Sequence, residues 1–142
     1  MDKERLPQTG VPDSLLTKLF DATGNSRGGN KGFFLFFIGR DGIPNCVARP
    51  VNTATRLAII SIIEFYPDED YEDDNPLALL ENLFHSTGDV YGNNKGFLFF
   101  YINENGKPVY YEKYQDEATY CAISSCVSDT YHNYGEEEEE DD

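Results

Sequence analysis

The chain aligns with itself at an offset of 64 residues, and this constrains its fold more than any other feature. LLTKLFDATGNSRGGNKGFFLFFIGRDGIP (15–44) matches LLENLFHSTGDVYGNNKGFLFFYINENGKP (79–108) without a gap, at 15 of 30 positions. The register continues: NTATRLAIISII (52–63) lies on DEATYCAISSCV (116–127), sharing Ala54/Ala118, Thr55/Thr119, Ala58/Ala122, Ile59/Ile123 and Ser61/Ser125. The match predicts two copies of a unit of about 50 residues, too few for a solenoid. Two such copies are expected to pair about a pseudo-twofold axis, as a homodimer does.

Each copy reads as helix, strand, strand, helix. Asp13 or Ser14 is positioned to cap a first helix whose Leu15, Leu16, Leu19 and Phe20 form one apolar face. Asn75-Pro76 opens the second copy, where Leu79, Leu80, Leu83 and Phe84 repeat that face. Gly24 and Gly88 suit the left-handed position just past the helix end. The runs FFLFFI (33–38) and FLFFYI (97–102) do not alternate, which predicts strands buried on both faces. Arg-Asp-Gly (40–42) and Glu-Asn-Gly (104–106) read as hairpin turns. Second strands are expected at about 45–50 and 108–114, and closing helices at about 53–66 and 116–131. The predicted class is α+β, with one four-stranded antiparallel sheet packed by helices. The domain plan is an N-terminal arm (1–12), repeat 1 (13–66), an acidic linker (67–76), repeat 2 (77–134) and an acidic, disordered tail (135–142).

Charge is segregated along this plan. The net charge is −15, yet the linker PDEDYEDDNP (67–76) and the tail EEEEEDD (136–142) hold 13 of the 26 acids and no base. Residues 1–66 carry eight bases and six acids; 67–142 carry three bases and twenty acids. Such a chain repels nucleic acid and anionic membrane at long range, so neither is expected as a direct partner. The start MDKERLPQTG has no apolar signal core, and LAIISII is far short of a membrane span, so a cytoplasmic protein is expected. Cys46, Cys121 and Cys126 are odd in number and lack CxxC spacing, which predicts reduced thiols rather than a disulfide framework or zinc site. No cofactor or metal is expected. The linker fails the EF-hand pattern because, counted from Asp68, positions six and twelve are Asp73 and Leu79.

The twice-used phrase GNSRGGNKG invites a phosphate-loop reading. A Walker A loop needs GxxxxGK[ST] between a strand and a helix N-terminus. Here Lys31 falls one residue late, Gly32 follows it, and the loop runs from helix to strand, so the dipole faces the wrong way. Glycines that shape the turn are the plainer reading. A ligand reading places an anionic, nucleotide-like molecule on Arg27, Asn30, Lys31, Tyr91, Asn94 and Lys95.

No catalytic residue is assigned. His85 suits a helix C-terminus, His132 lies in a tyrosine-rich stretch near SSCVSD (124–129), and GxSxG, HExxH and QACxG are absent. Tyrosine is concentrated in repeat 2, and VYYEKYQDE (109–117) reads as a recognition strand. The leading expectation is a non-enzymatic acidic inhibitor that occupies a basic, phosphate-binding surface of a nucleic-acid-handling protein. Small phage-encoded anti-defence and nuclease immunity proteins share this size and composition. Its partner-binding residues are Tyr110, Tyr111, Glu112, Tyr114, Asp116, Glu117, Glu136, Glu137 and Glu138. The alternative is a binder or sponge for the anionic ligand above; an apolar sheet edge also leaves room for a homodimer.

Overall fold

A computed structural model describes residues 11–24, 30–64 and 78–141, with side chains described as far as Asp129. The linker 67–76, Arg27 and the side chains of His132, Glu136, Glu137 and Glu138 lie outside what is described. The elements run α1 (Asp13–Ala22), β1 (Phe33–Ile38), β2 (Pro44–Ala48), α2 (Thr53–Ile63), α3 (Leu79–Ser86), β3 (Gly96–Ile102), β4 (Pro108–Tyr114) and α4 (Glu117–Asp141). This is an α+β arrangement of four helices and one four-stranded antiparallel sheet.

The strand order is β2-β1-β3-β4, so the two unbroken apolar runs sit side by side at the centre. Their register pairs Phe33 with Tyr101, Leu35 with Phe99 and Phe37 with Phe97. Every residue of β1 and β3 is buried, because helices cover both faces. Phe33, Leu35, Phe37, Phe97, Phe99 and Tyr101 face Leu15, Leu16 and Leu19 of α1 and Leu80 and Leu83 of α3. Phe34, Phe36, Ile38, Leu98, Phe100 and Ile102 face Ile59, Ile62 and Ile63 of α2 and Ile123 and Val127 of α4. The period-two alternation of a strand thus divides one apolar run between two cores.

The halves are interlocked. Helix α2 packs on β3 and β4 as well as on β1, and α4 packs on β1 and β2 as well as on its own strands. Gly24 N–H donates to Ile102 O at 2.7 Å, and Gly88 N–H donates to Ile38 O at 2.8 Å.

Three boundaries differ from the sequence expectation. Neither Asp13 nor Ser14 caps α1: Pro12 is the N-cap, and Asp13 is the first helical residue, with its carboxylate on Arg49. An acid in the first turn still favours the helix through the macrodipole. Helix α2 ends at Ile63 rather than 66. Helix α4 runs past 131 to Asp141, so the backbone of 135–141 is helical where like charges predict disorder. Glutamate is a strong helix former, and extending an existing helix adds one bond per residue fixed.

Because each half supplies cover for the other's strands, residues 1–66 and 78–142 made as separate fragments are expected to lack cooperative unfolding. Circular dichroism during a denaturant titration checks this; a sigmoidal transition in either fragment alone would contradict it.

Candidate functional site

The repeated phrase builds the same clasp in both places. Thr23 N–H and Oγ1–H both donate to Phe20 O, at 3.1 and 2.7 Å, closing α1. Thr23 Oγ1 in turn accepts from Gly32 N–H at 2.9 Å. Thr87 does the same for α3, donating through Oγ1 to Phe84 O at 2.7 Å and accepting from Gly96 N–H at 2.8 Å. One buried hydroxyl therefore ties a helix end to the start of a central strand.

The lysines complete the clasp. Lys31 Nζ donates to Asp21 O and Thr23 O at 2.8 and 3.2 Å. Lys95 Nζ donates to His85 O and Thr87 O, both at 3.3 Å. A helix C-terminus offers unsatisfied carbonyls and negative potential, which favour an ammonium group. The orientation that is wrong for phosphate is right for lysine. Gly24 (φ +84) and Gly88 (φ +96) leave the helices in the left-handed region. At Gly32 a Cβ would lie 2.7 Å from Pro50 Cα and 3.0 Å from Thr55 Cγ2, so the strand entrance has no room for a side chain. Of the remaining loop candidates, Asn30 is exposed and Asn94 is half-buried in the left-handed region (φ 63).

An open depression of about 570 Å³ lies beside the first clasp, lined by Asp21, Ala22, Thr23, Gly24, Lys31, Glu104 and Asn105. The one cation among these residues is the clasp lysine, and Asp21 and Glu104 add two carboxylates to the lining. This lining is a poor host for an anion.

The segment VYYEKYQDE (109–117) falls largely on β4, at one edge of the sheet, and its tyrosines have different fates. Tyr110 is only 6% exposed and packs on the Phe100 ring at 5.6 Å, so it belongs to the core rather than to a partner surface. Burial on the α2/α4 face follows from strand alternation, which puts Tyr110 beside Phe100. Tyr111 points to the other face and packs against Phe97 at 6.1 Å. Tyr114 is half-buried, meets Tyr120 edge-on at 5.2 Å and donates its hydroxyl to Glu112 at 2.9 Å. Asp116 and Glu117 are exposed where β4 gives way to α4. Asp116 Oδ1 accepts from Thr119 N–H at 2.9 Å and Thr119 Oγ1 at 2.8 Å, bonds that hold its carboxyl below the ordinary aspartate range. In repeat 1 Asn52 Oδ1 accepts only from Thr55 N–H, and the buried Thr55 hydroxyl has no partner.

The remaining titratable groups have structural settings. His85 lies in the last turn of α3, 3.5 Å from Glu81. Glu81 is held below the ordinary glutamate range, first by its hydrogen bond from Lys113 and by that charge. Lys113 also stands over the Phe84 ring at 4.6 Å. None of the three cysteines is in a disulfide; burial, helped by nearby Cys126, pushes Cys46 up to about 12. No cluster of His, Cys, Asp and Glu suited to a metal occurs among the described residues. No helix among them is long and apolar enough to cross a membrane. No protein family, curated protein or solved structure matches the chain.

Two measurements follow. Lys31→Met and Lys95→Met are each expected to lower unfolding free energy by about 1–2 kcal/mol in the absence of any ligand, and Gly32→Ala by about 1–3 kcal/mol through overpacking. Unchanged denaturation midpoints would show that the loops do not close the helices. Iodoacetamide at neutral pH is expected to label exposed Cys121 in the folded protein and to reach Cys46 only after unfolding, since the thiolate is the nucleophile. Mass spectrometry of the alkylated peptides reads both.

Proposed function

We propose that the chain is a tandem duplication folded about a pseudo-twofold axis, and that one of its halves has become an acidic surface for a basic partner protein. The duplication reading is supported by the central register. Leu35 pairs with Phe99, its own counterpart at the 64-residue offset, while Phe33 and Phe37 pair with the counterparts of each other. That exchange is what a twofold axis through the Leu35–Phe99 pair produces.

The observation that carries the partner reading is the segregation of charge. Half of the acids lie in the linker and the last seven residues, without a base among them. Glu112, Asp116 and Glu117 extend that acidity along β4 and into the first turn of α4, with Tyr114 between Glu112 and Asp116. Arrayed carboxylates imitate phosphates, and their field speeds association with a cationic groove while making it salt-sensitive. The protein then acts in the cytoplasm as a non-enzymatic inhibitor of a nucleic-acid-handling protein, in the manner of phage anti-defence or immunity proteins. Engagement of both loop lysines by helix carbonyls favours this over the anionic-ligand alternative.

The test is affinity capture on the immobilised chain from its own cells, with elution by salt. A basic protein is expected to be retained, released as salt rises, and displaced by duplex DNA or RNA. Deleting 136–142, or combining Glu112→Gln, Asp116→Asn and Glu117→Gln, is expected to weaken that retained complex at least about tenfold at low salt. Asparagine at 116 keeps a good N-cap while removing the charge. Affinity unchanged at low salt would overturn the reading.

A further inference from the structure

The tip of the second clasp loop is a turn closed by its own aspartate. In the second loop Asp89 Oδ1 accepts from Tyr91 N–H and Asn93 N–H, each at 2.9 Å, and Gly92 N–H donates to Asp89 O at 3.0 Å. This locked turn abuts the hairpin turn of repeat 1: Val90 N–H donates to Arg40 O at 3.2 Å, just beyond the Gly88–Ile38 bond. The hairpin turn is held likewise, with Asp41 Oδ1 accepting from Ile43 N–H at 3.1 Å and Gly39 N–H donating to Ile43 O at 3.0 Å.

From these two joined turns three apolar side chains project into solvent: Tyr91 is 85% exposed, Ile43 58% and Val90 55%. Single exposed apolar residues are ordinary. Three on adjoining, hydrogen-bonded turns are less so, particularly as the 64-residue offset places Arg27, Lys107 and Ser26 at the corresponding positions. The fold therefore does not demand apolar residues there. Each turn also carries a carboxylate, Asp89 beside Val90 and Tyr91 in sequence and Asp41 two residues before Ile43; Arg40 is the base on the hairpin turn.

We propose that Tyr91, with Val90 and Ile43, forms the apolar anchor by which the chain docks on a basic protein surface containing an apolar pocket. A central aromatic held on a rigid turn loses little entropy on binding, and such anchors carry most of an interface's energy. The occupant follows from charge complementarity: a chain of net −15, with Asp41 and Asp89 at the anchor itself, fits a pocket rimmed by lysine and arginine better than a second acidic copy. The inference rests on the acidic partner reading and assigns it a specificity element away from β4.

The test uses two fluorescein-labelled octapeptides of equal charge, one alternating arginine with leucine and the other arginine with serine. They are titrated into the full chain by anisotropy, with amide shifts followed by NMR. The leucine peptide is expected to bind at least about tenfold more tightly than the serine peptide and to shift the amides of 41–43 and 89–92. Tyr91→Ser and Val90→Ser, which keep the backbone donors of the turn, are expected to erase that preference and leave the serine peptide's affinity unchanged. Equal affinity for the two peptides, or a preference that survives both variants, overturns the anchor while leaving the acidic reading standing. Failure of the chain to bind either peptide at low salt overturns both.

Discussion

Two six- and seven-residue strands with no polar side turned outward must be covered on both faces, and most of this structure follows from that requirement. β1 and β3 pair with each other, because only the middle of a four-stranded sheet keeps both neighbours and both faces away from water. The cover then needs two helical layers, and each half of the chain has one helix for each face. Cross-packing of α2 on β3 and β4, and of α4 on β1 and β2, makes the two halves one cooperative body.

The glycine-rich phrase is part of this solution. A short helix feeding straight into a buried strand must end abruptly, and its last carbonyls must find donors. The Thr23 hydroxyl, the Lys31 ammonium and a positive-φ glycine meet that need within about ten residues, and Thr87, Lys95 and Gly88 meet it again. Lysine here serves the carbonyl end of a helix, the mirror of a phosphate loop, where backbone donors serve an anion.

The two halves differ at their surfaces. At the 64-residue offset Glu112, Asp116 and Glu117 stand against Ala48, Asn52 and Thr53, and Val90 and Tyr91 against Ser26 and Arg27. Exposed differences such as these alter what the protein can meet, and exposed positions are where a binding function is able to evolve with little cost to stability.

Helix, strand, turn and helix were legible in each copy because the 64-residue offset, the unbroken runs FFLFFI and FLFFYI, and the glycines at 42 and 106 are local signals. So was the antiparallel sheet. The site was less legible: Tyr110 and Tyr111 are adjacent and chemically identical, yet one is core and the other packs on the opposite face. The pairing of the phrase's lysines was not legible either, because the carbonyls that receive them, those of Asp21, Thr23, His85 and Thr87, belong to the preceding helix end. By itself the sequence determined the repeated unit, the element types and the charge segregation, all properties of neighbours along the chain. Tertiary structure alone decided the β1–β3 register, the exchange of helical cover and the meeting of the 39–43 and 88–92 turns, because those depend on contacts between residues more than thirty apart.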